Sequence, residues 1–267
     1  MNLVQSSFKY CEEIAKKHYE NFPVASRLIP EGKRKYIFTI YAFARQADDF
    51  ADEDNVGSDE ERLRLIDDWN EKLKKSPEHP VFVALSETIK DCSLPIEPFE
   101  NLLKAFRLDV IKKRYNTFNE VLLYCENSAN PVGRLVLMVL DEKDESLFKY
   151  SDYVCTALQL TNFWQDAAVD LKKDRMYIPA EDVDRFKGDF KDIIKHEVER
   201  TKEFFQRGKP LIGLVRFKKE LKLIWLGGME ILNKIRQNDY DVFNRRPVLN
   251  NLDKIKLFCK AIRRINI

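Results

Sequence analysis

Apolar residues recur along this chain at intervals of three and four, the spacing of one face of an α-helix, and no segment reads as strand, turn and strand. Pro23, Pro30, Pro77, Pro80, Pro95, Pro98, Pro131, Pro179, Pro210 and Pro247 cut the pattern into lengths. The lengths predict helices over residues 3–20, 31–54, 58–75, 80–91, 97–114, 117–140, 145–171, 189–206, 210–239 and 251–264. Ser58-Asp59-Glu60-Glu61 and Thr117-Phe118-Asn119-Glu120 have the form of capped helix starts. There is no fixed-period repeat, no low-complexity stretch and no linker long enough to separate domains. The expectation is one all-α domain spanning residues 1–267.

Composition removes several classes of function. Eight glycines in 267 residues fall well below the average of about 7%, which disfavours glycine-loop nucleotide folds. Forty-six basic and 44 acidic residues leave a net charge of +2, so no nucleic-acid partner is expected. Cys11, Cys92, Cys125, Cys155 and Cys259 are odd in number, scattered and without a CxxC pair, as in a cytoplasmic protein with reduced thiols. His18, His79 and His196 are too dispersed for a zinc site. The N-terminus has no signal-peptide core, and no apolar run approaches the roughly 18 residues of a transmembrane helix. The basic, amphipathic stretch Lys260 to Arg264 is read as a solvated helix end, with contact at the inner face of the cytoplasmic membrane as the alternative.

Two acidic clusters change the picture. The first, Arg45 to Glu53, places Asp48 and Asp52 four residues apart; the second, Asn162 to Asp170, does the same with Asp166 and Asp170. On a helix each pair stacks on one face about 6 Å apart along the axis. Like charges so placed repel, and removing one is expected to raise the stability of the metal-free protein. Taken alone, the first cluster reads as a solvated helix end with Arg45 paired to Asp48 or Asp49. The approach to it, Ile37, Phe38, Ile40, Tyr41, Phe43 and Ala44, is apolar on most sides, which implies burial and a need for partners. The second cluster resists the plain reading. Gln159, Asn162, Asp166 and Asp170 form an all-oxygen row on an otherwise apolar helix, which suits a hard cation such as Mg²⁺. Lys172, Lys173, Arg175 and Tyr177 follow, able to answer phosphate oxygens. A third segment, Tyr124 to Gly133, runs Asn127, Ser128 and Asn130 into Pro131; it is either an ordinary break or a polar pocket at a kink. The 18 Phe, 10 Tyr and 3 Trp fit core filling or an apolar tunnel.

These segments together resemble the squalene/phytoene synthase family of head-to-head prenyl transferases. HYENFPVASRLIP (18–30), YAFARQADDFADE (41–53), YCENSANPVG (124–133), QLTNFWQDAAVDLKKDRMYIP (159–179) and NDYDVFNRRP (238–247) match its motifs in order over most of the chain. The resemblance implies an isoprenoid-synthase fold in which the acidic motifs face across a central apolar cavity. It puts Asp48, Asp52, Asn162, Asp166 and Asp170 at metal-binding positions. It puts Tyr41, Arg45, Lys173, Arg175, Tyr240 and Arg245 near a diphosphate, with Asn21, Phe22 and Gln159 on the substrate.

Departures from the family pattern point to a branch. Asn21-Phe22-Pro23 stands where many members carry Ser-Phe, and Glu126, Asn127, Asn130 and Pro131 replace a usual tyrosine and small residues. NFPVAS, SANPVG and NFWQDxxxD resemble members that ionise presqualene diphosphate and let water capture the cation, giving hydroxysqualene for hopanoid biosynthesis. The implied cofactor is Mg²⁺ without nicotinamide. The implied partners are an isoprenoid diphosphate, a peripheral membrane contact and neighbouring pathway enzymes. Glu126, Asn127, Ser128 and Asn130 are the candidates for holding the water, with Asn127 and Asn130 counted among the catalytic residues. The alternatives are a presqualene diphosphate or phytoene synthase, and a non-catalytic assembly relative.

Overall fold

A computed structural model describes residues 2–18, 29–52, 57–75 and 78–263. In chain order its helices are α1 (Leu3–His18), α2 (Glu31–Ala51), α3 (Asp59–Lys74), α4 (Pro80–Cys92), α5 (Glu97–Ile111), α6 (Phe118–Ser128), α7 (Asn130–Val139), α8 (Ser146–Lys172), α9 (Ala180–Arg185), α10 (Phe190–Gly208), α11 (Leu211–Leu214), α12 (Lys218–Gln237) and α13 (Asn251–Ile262). Among the described residues the only strand-like pairing is an isolated bridge between Arg114 and Met176. Both capped starts form: Ser58 accepts from the N–H of Glu61 at 3.4 Å, and Thr117 from that of Glu120 at 3.3 Å. The residues group into two compact units, Met1–Lys112 with Pro131–Lys143, and Lys113–Asn130 with Asp144–Ile267.

Two expected helices are divided. The 117–140 segment breaks at Ala129, which caps α6 with φ stretched to −112° and its N–H still bonded to the carbonyl of Cys125, and α7 restarts with Pro131 in its first turn. Proline lacks an N–H and crowds the carbonyl four residues back, so a first turn is where it costs least. The 210–239 segment breaks at Val215, extended at φ −90° and ψ 160° and 1% exposed. Burying a β-branched side chain in extended backbone outweighs the helical spacing there. The short α9 has no counterpart among the expected helices.

In the first unit the core forms around Phe43 of α2, fully buried. Its ring stacks on Trp69 of α3 at 6.1 Å and meets Phe82 of α4 and Phe99 of α5 edge-on at 6.0 and 5.4 Å. Such aromatic pairs add about 0.5–1.5 kcal/mol each beyond their burial, and they hold α2 by its apolar side. In the second unit α8 and α10 pack closely. Trp164 of α8 is fully buried and donates its Nε1–H to Thr201 of α10 at 2.8 Å; Thr201 in turn donates to the carbonyl of Glu197 at 2.7 Å. Of the cysteines, Cys11, Cys92 and Cys125 are buried, Cys155 is half-buried and Cys259 is exposed.

Glu197 of α10 is itself fully buried, 3.4 Å from the Arg200 guanidinium, which also reaches Asp182 of α9 at 3.1 Å. Burial pushes the Glu197 carboxyl well above its ordinary value; Arg200 opposes this, and Asp182 and Glu181 reinforce it. His196 stands 3.7 Å from Asp182, with Arg185 acting on the His196 ring. A carboxyl protonated when folded and ionised when unfolded makes stability fall as pH rises above the ordinary value of 4.5. Glu197→Gln removes that penalty. The urea midpoint of the variant is expected to gain on wild type steadily as pH is raised from about 4.5 towards neutrality; parallel midpoints across that range would refute the assignment.

Candidate active site

The first acidic cluster closes α2. Its apolar side is fixed in the core by Phe38, Ile40 and Phe43, which turns Arg45, Asp48 and Asp49 partly outward. Arg45 reaches Asp49 at 2.5 Å and Asp48 at 3.3 Å. The pairing foreseen for a plain helix end is therefore present. It leaves Nε of Arg45 and Oε1 of the neighbouring Gln46 buried without hydrogen-bond partners. Asp52 caps the helix, its N–H donating to the carbonyl of Asp48 at 3.1 Å, and Tyr41 lies three turns earlier, half-buried.

The second cluster lies towards the end of α8. Asp166 is partly buried and gripped by Arg246, whose Nε donates to one carboxylate oxygen while Nη2 donates to the other at 3.2 Å. Gln165 donates to the carbonyl of Pro247 at 2.6 Å, so residues 246–247 dock on this turn twice. Asn162 is exposed; Gln159 and Asp170 are half-buried. The helix closes where the carbonyl of Asp170 accepts from the N–H groups of Lys173 and Arg175 at 3.0 and 2.9 Å. That geometry brings both cationic residues to the end of the oxygen row.

Both clusters sit at C-terminal helix ends. Carboxylates there oppose the helix dipole by about 0.3–1 kcal/mol each, on top of their mutual repulsion. A chain that places acids twice where its own backbone disfavours them has sites a cation would relieve. Within neither unit do three carboxylate, histidine or cysteine side chains among the described residues converge on one point.

Beside Asp170, a cavity of the second unit is lined by Phe163, Ala167, Met176, Tyr177, Ile178 and Phe243. Phe163 and Tyr177 stack in parallel at 3.8 Å and 8°, and Tyr115 and Tyr124 extend the aromatic surface. In the third segment the expected polar group is dispersed. Glu126 is exposed, and the Asn127 side chain bonds back to the carbonyl of Leu123 at 2.9 Å. Asn130 is buried and accepts from the Thr156 hydroxyl at 3.0 Å, while the hydroxyl of Ser128 is buried without a partner. Of the four, only Ser128 and Asn130 offer buried polar atoms, and Thr156, not singled out from the sequence, joins them.

At the last motif, Asp239 and Tyr240 both have positive φ, 53° and 60°, a left-handed bend at the end of α12. Tyr240 is half-buried and Arg245 exposed; the carbonyl of Arg245 accepts from Asn238 at 3.2 Å. The arginine that meets the acidic row is Arg246, not Arg245: the docking of Pro247 on Gln165 sets which of the two adjacent side chains faces α8. Asn21 and Phe22 lie outside the described residues.

The sequence profile of the squalene/phytoene synthase family matches residues 15–253, and the chain belongs to that family. A phytoene synthase of Arthrospira platensis is 29% identical over 93% of this chain and 90% of its own length. A 15-cis-phytoene synthase of Synechocystis is 26% identical over 94% and 83%. Among solved structures, squalene synthase HpnC from Alicyclobacillus acidocaldarius superposes with a TM-score of 0.84 at 37% identity, covering 89% of this chain and 95% of that one. A dehydrosqualene synthase in complex with a ligand superposes with a TM-score of 0.84 at 26% identity, over 97% and 96%. The protein is an enzyme of this family with the all-α isoprenoid-synthase fold.

Proposed function

We propose that this enzyme is a Mg²⁺-dependent hydroxysqualene synthase, which ionises presqualene diphosphate and lets water capture the rearranged cation. The observation that carries the reading is the 37% identity to a squalene synthase HpnC, against 29% or less for the phytoene synthases. Asp48 and Asp52, and Asn162, Asp166 and Asp170, are the proposed ion ligands. Bound Mg²⁺ would neutralise the diphosphate and make it a better leaving group. Arg45, Lys173, Arg175 and Arg245, with Tyr41, Tyr240 and Gln159, are assigned to diphosphate and substrate. To these the geometry adds Arg246, whose guanidinium is held beside the oxygen row and can answer released phosphate charge. The Phe163–Tyr177 stack offers π faces to a cation.

The water is assigned to Asn130 and Ser128, the buried pair with spare hydrogen-bonding capacity. A carbocation in a dry pocket loses a proton or takes hydride; beside a held water it becomes an alcohol. Purified enzyme given presqualene diphosphate and Mg²⁺ in ¹⁸O-water is expected to yield labelled hydroxysqualene, unchanged by NADPH, and Asn130→Ala to shift product towards hydrocarbon. An unlabelled alcohol, or squalene formed only with NADPH, would overturn the reading. The second reading, a synthase joining two prenyl diphosphates, is favoured by the phytoene synthases at 26–29% identity; phytoene or accumulated presqualene diphosphate as sole product would establish it.

A further inference from the structure

Helix α13 has two unlike faces. Leu257 and Ala261, 4% and 3% exposed, pack on the α12 side, and Lys234 of α12 holds Asp253 at 2.7 Å. On the opposite face Leu252, Ile255, Cys259 and Ile262 follow at intervals of three, four and three, which makes them one stripe. Leu252 is 67% exposed, Ile255 60% and Ile262 43%, and Val248, just before the helix, is 52% exposed. Exposed aliphatics elsewhere, such as Leu3, Ile111 and Leu123, stand singly on their helices, whereas these line up on one face. Lys256, Lys260 and Arg263 are exposed along one edge of the stripe. The helix has a single carboxylate, Asp253, already bound by Lys234 and by the N–H of Asn250 at 2.9 Å. Asp253 also feels Lys256, so of the edge cations only Lys260 and Arg263 have no acidic counterpart on their own helix.

We propose that this face docks on an anionic lipid surface, with the apolar stripe at the boundary of headgroups and acyl chains. Lys256, Lys260 and Arg263 then lie among the headgroup phosphates. The chemistry is that of an interfacial helix: aliphatic area entering the membrane edge, cations along its rim, and the one acid of the helix already held by Lys234. Twelve residues cannot cross a bilayer, and no described helix is long and apolar enough to do so, so α13 lies in the plane of the surface. A second copy meeting the stripe with the two helices antiparallel would crowd lysines against lysines in one rim, which disfavours self-association in that arrangement. The inference is independent of which prenyl diphosphate the enzyme uses.

The test is vesicle flotation of the whole protein, with vesicles rich in phosphatidylglycerol and vesicles of phosphatidylcholine alone. Binding is expected to the first and not the second, and to weaken with salt. The double variant Leu252→Ser/Ile255→Ser, which keeps the charge, is expected to lower the partition coefficient at least about tenfold. Because both side chains are exposed, its circular dichroism and melting temperature should match wild type. Lys256→Gln/Lys260→Gln should lower binding without touching the stripe. Absent binding, equal binding to both vesicle types, or binding indifferent to the serine variant would overturn the proposal. So would a concentration-dependent dimer that the serine variant abolishes.

Discussion

Asp48→Ala or Asp166→Ala is expected to lower kcat/KM with presqualene diphosphate at saturating Mg²⁺ by at least about a thousandfold, roughly 4 kcal/mol of transition-state stabilisation. The protein should stay folded. From spacing alone, removing one of two like charges would raise the stability of the metal-free chain. The arginines alter that balance: Arg45 already holds Asp48 and Asp49, and Arg246 already holds Asp166. Repulsion relieved on one side is offset by an ion pair lost on the other. For partly exposed pairs each amounts to about 1 kcal/mol or less. Melting temperatures without Mg²⁺ are therefore expected within about 3 °C of wild type. Undiminished turnover by both variants would remove the aspartates from the metal site.

Gly208→Ala is expected to be strongly destabilising. A Cβ built there would lie 2.6 Å from Cγ2 of Val154, 2.9 Å from that residue's backbone nitrogen and 3.1 Å from the carbonyl oxygen of Tyr150. Two of the three obstacles are backbone of α8, so no rotamer change relieves them. Overpacking of this kind costs about 2–3 kcal/mol, or roughly 5–10 °C in melting temperature for a chain of this size. Gly227 of α12 is the control, with nothing within 4 Å of its added Cβ. Gly227→Ala should stabilise by up to about 1 kcal/mol, because alanine is the better helix former. Equal melting temperatures for the two variants would show that α8 and α10 can move apart at no cost.

Most of the helices are legible in the residue pattern because each has to bury one face, and burial writes itself at intervals of three and four. Its failures are local. Between Pro210 and Gln237 the only breaker residues are Gly213, Gly227 and Gly228; the helix runs through the last two and stops two residues after the first, where Val215 buries its side chain, so a tertiary effect and not the glycine pattern places the break. The carboxylate rows could be read because i,i+4 acids are a property of sequence alone. The arginine that meets the second row could not, because Arg245 and Arg246 are neighbours with opposite prospects. The choice depends on Pro247 docking against Gln165, 82 positions away in the chain. Asn127 and Asn130 look alike on paper; one is spent on its own helix and the other is buried against Thr156.

The uneven burial of the thiols has a practical consequence. Burial raises the pKa of Cys11 to about 11 and raises those of Cys92 and Cys125 as well, so these three are slow nucleophiles at neutral pH. Cys259 stands in water. A brief maleimide reaction should therefore tag the native chain preferentially at that position, without mutagenesis. An environment-sensitive dye placed there would report the polarity around the last helix in real time. The natural sequence thus carries its own spectroscopic handle, set within the stripe of α13 and remote in sequence from both aspartate rows.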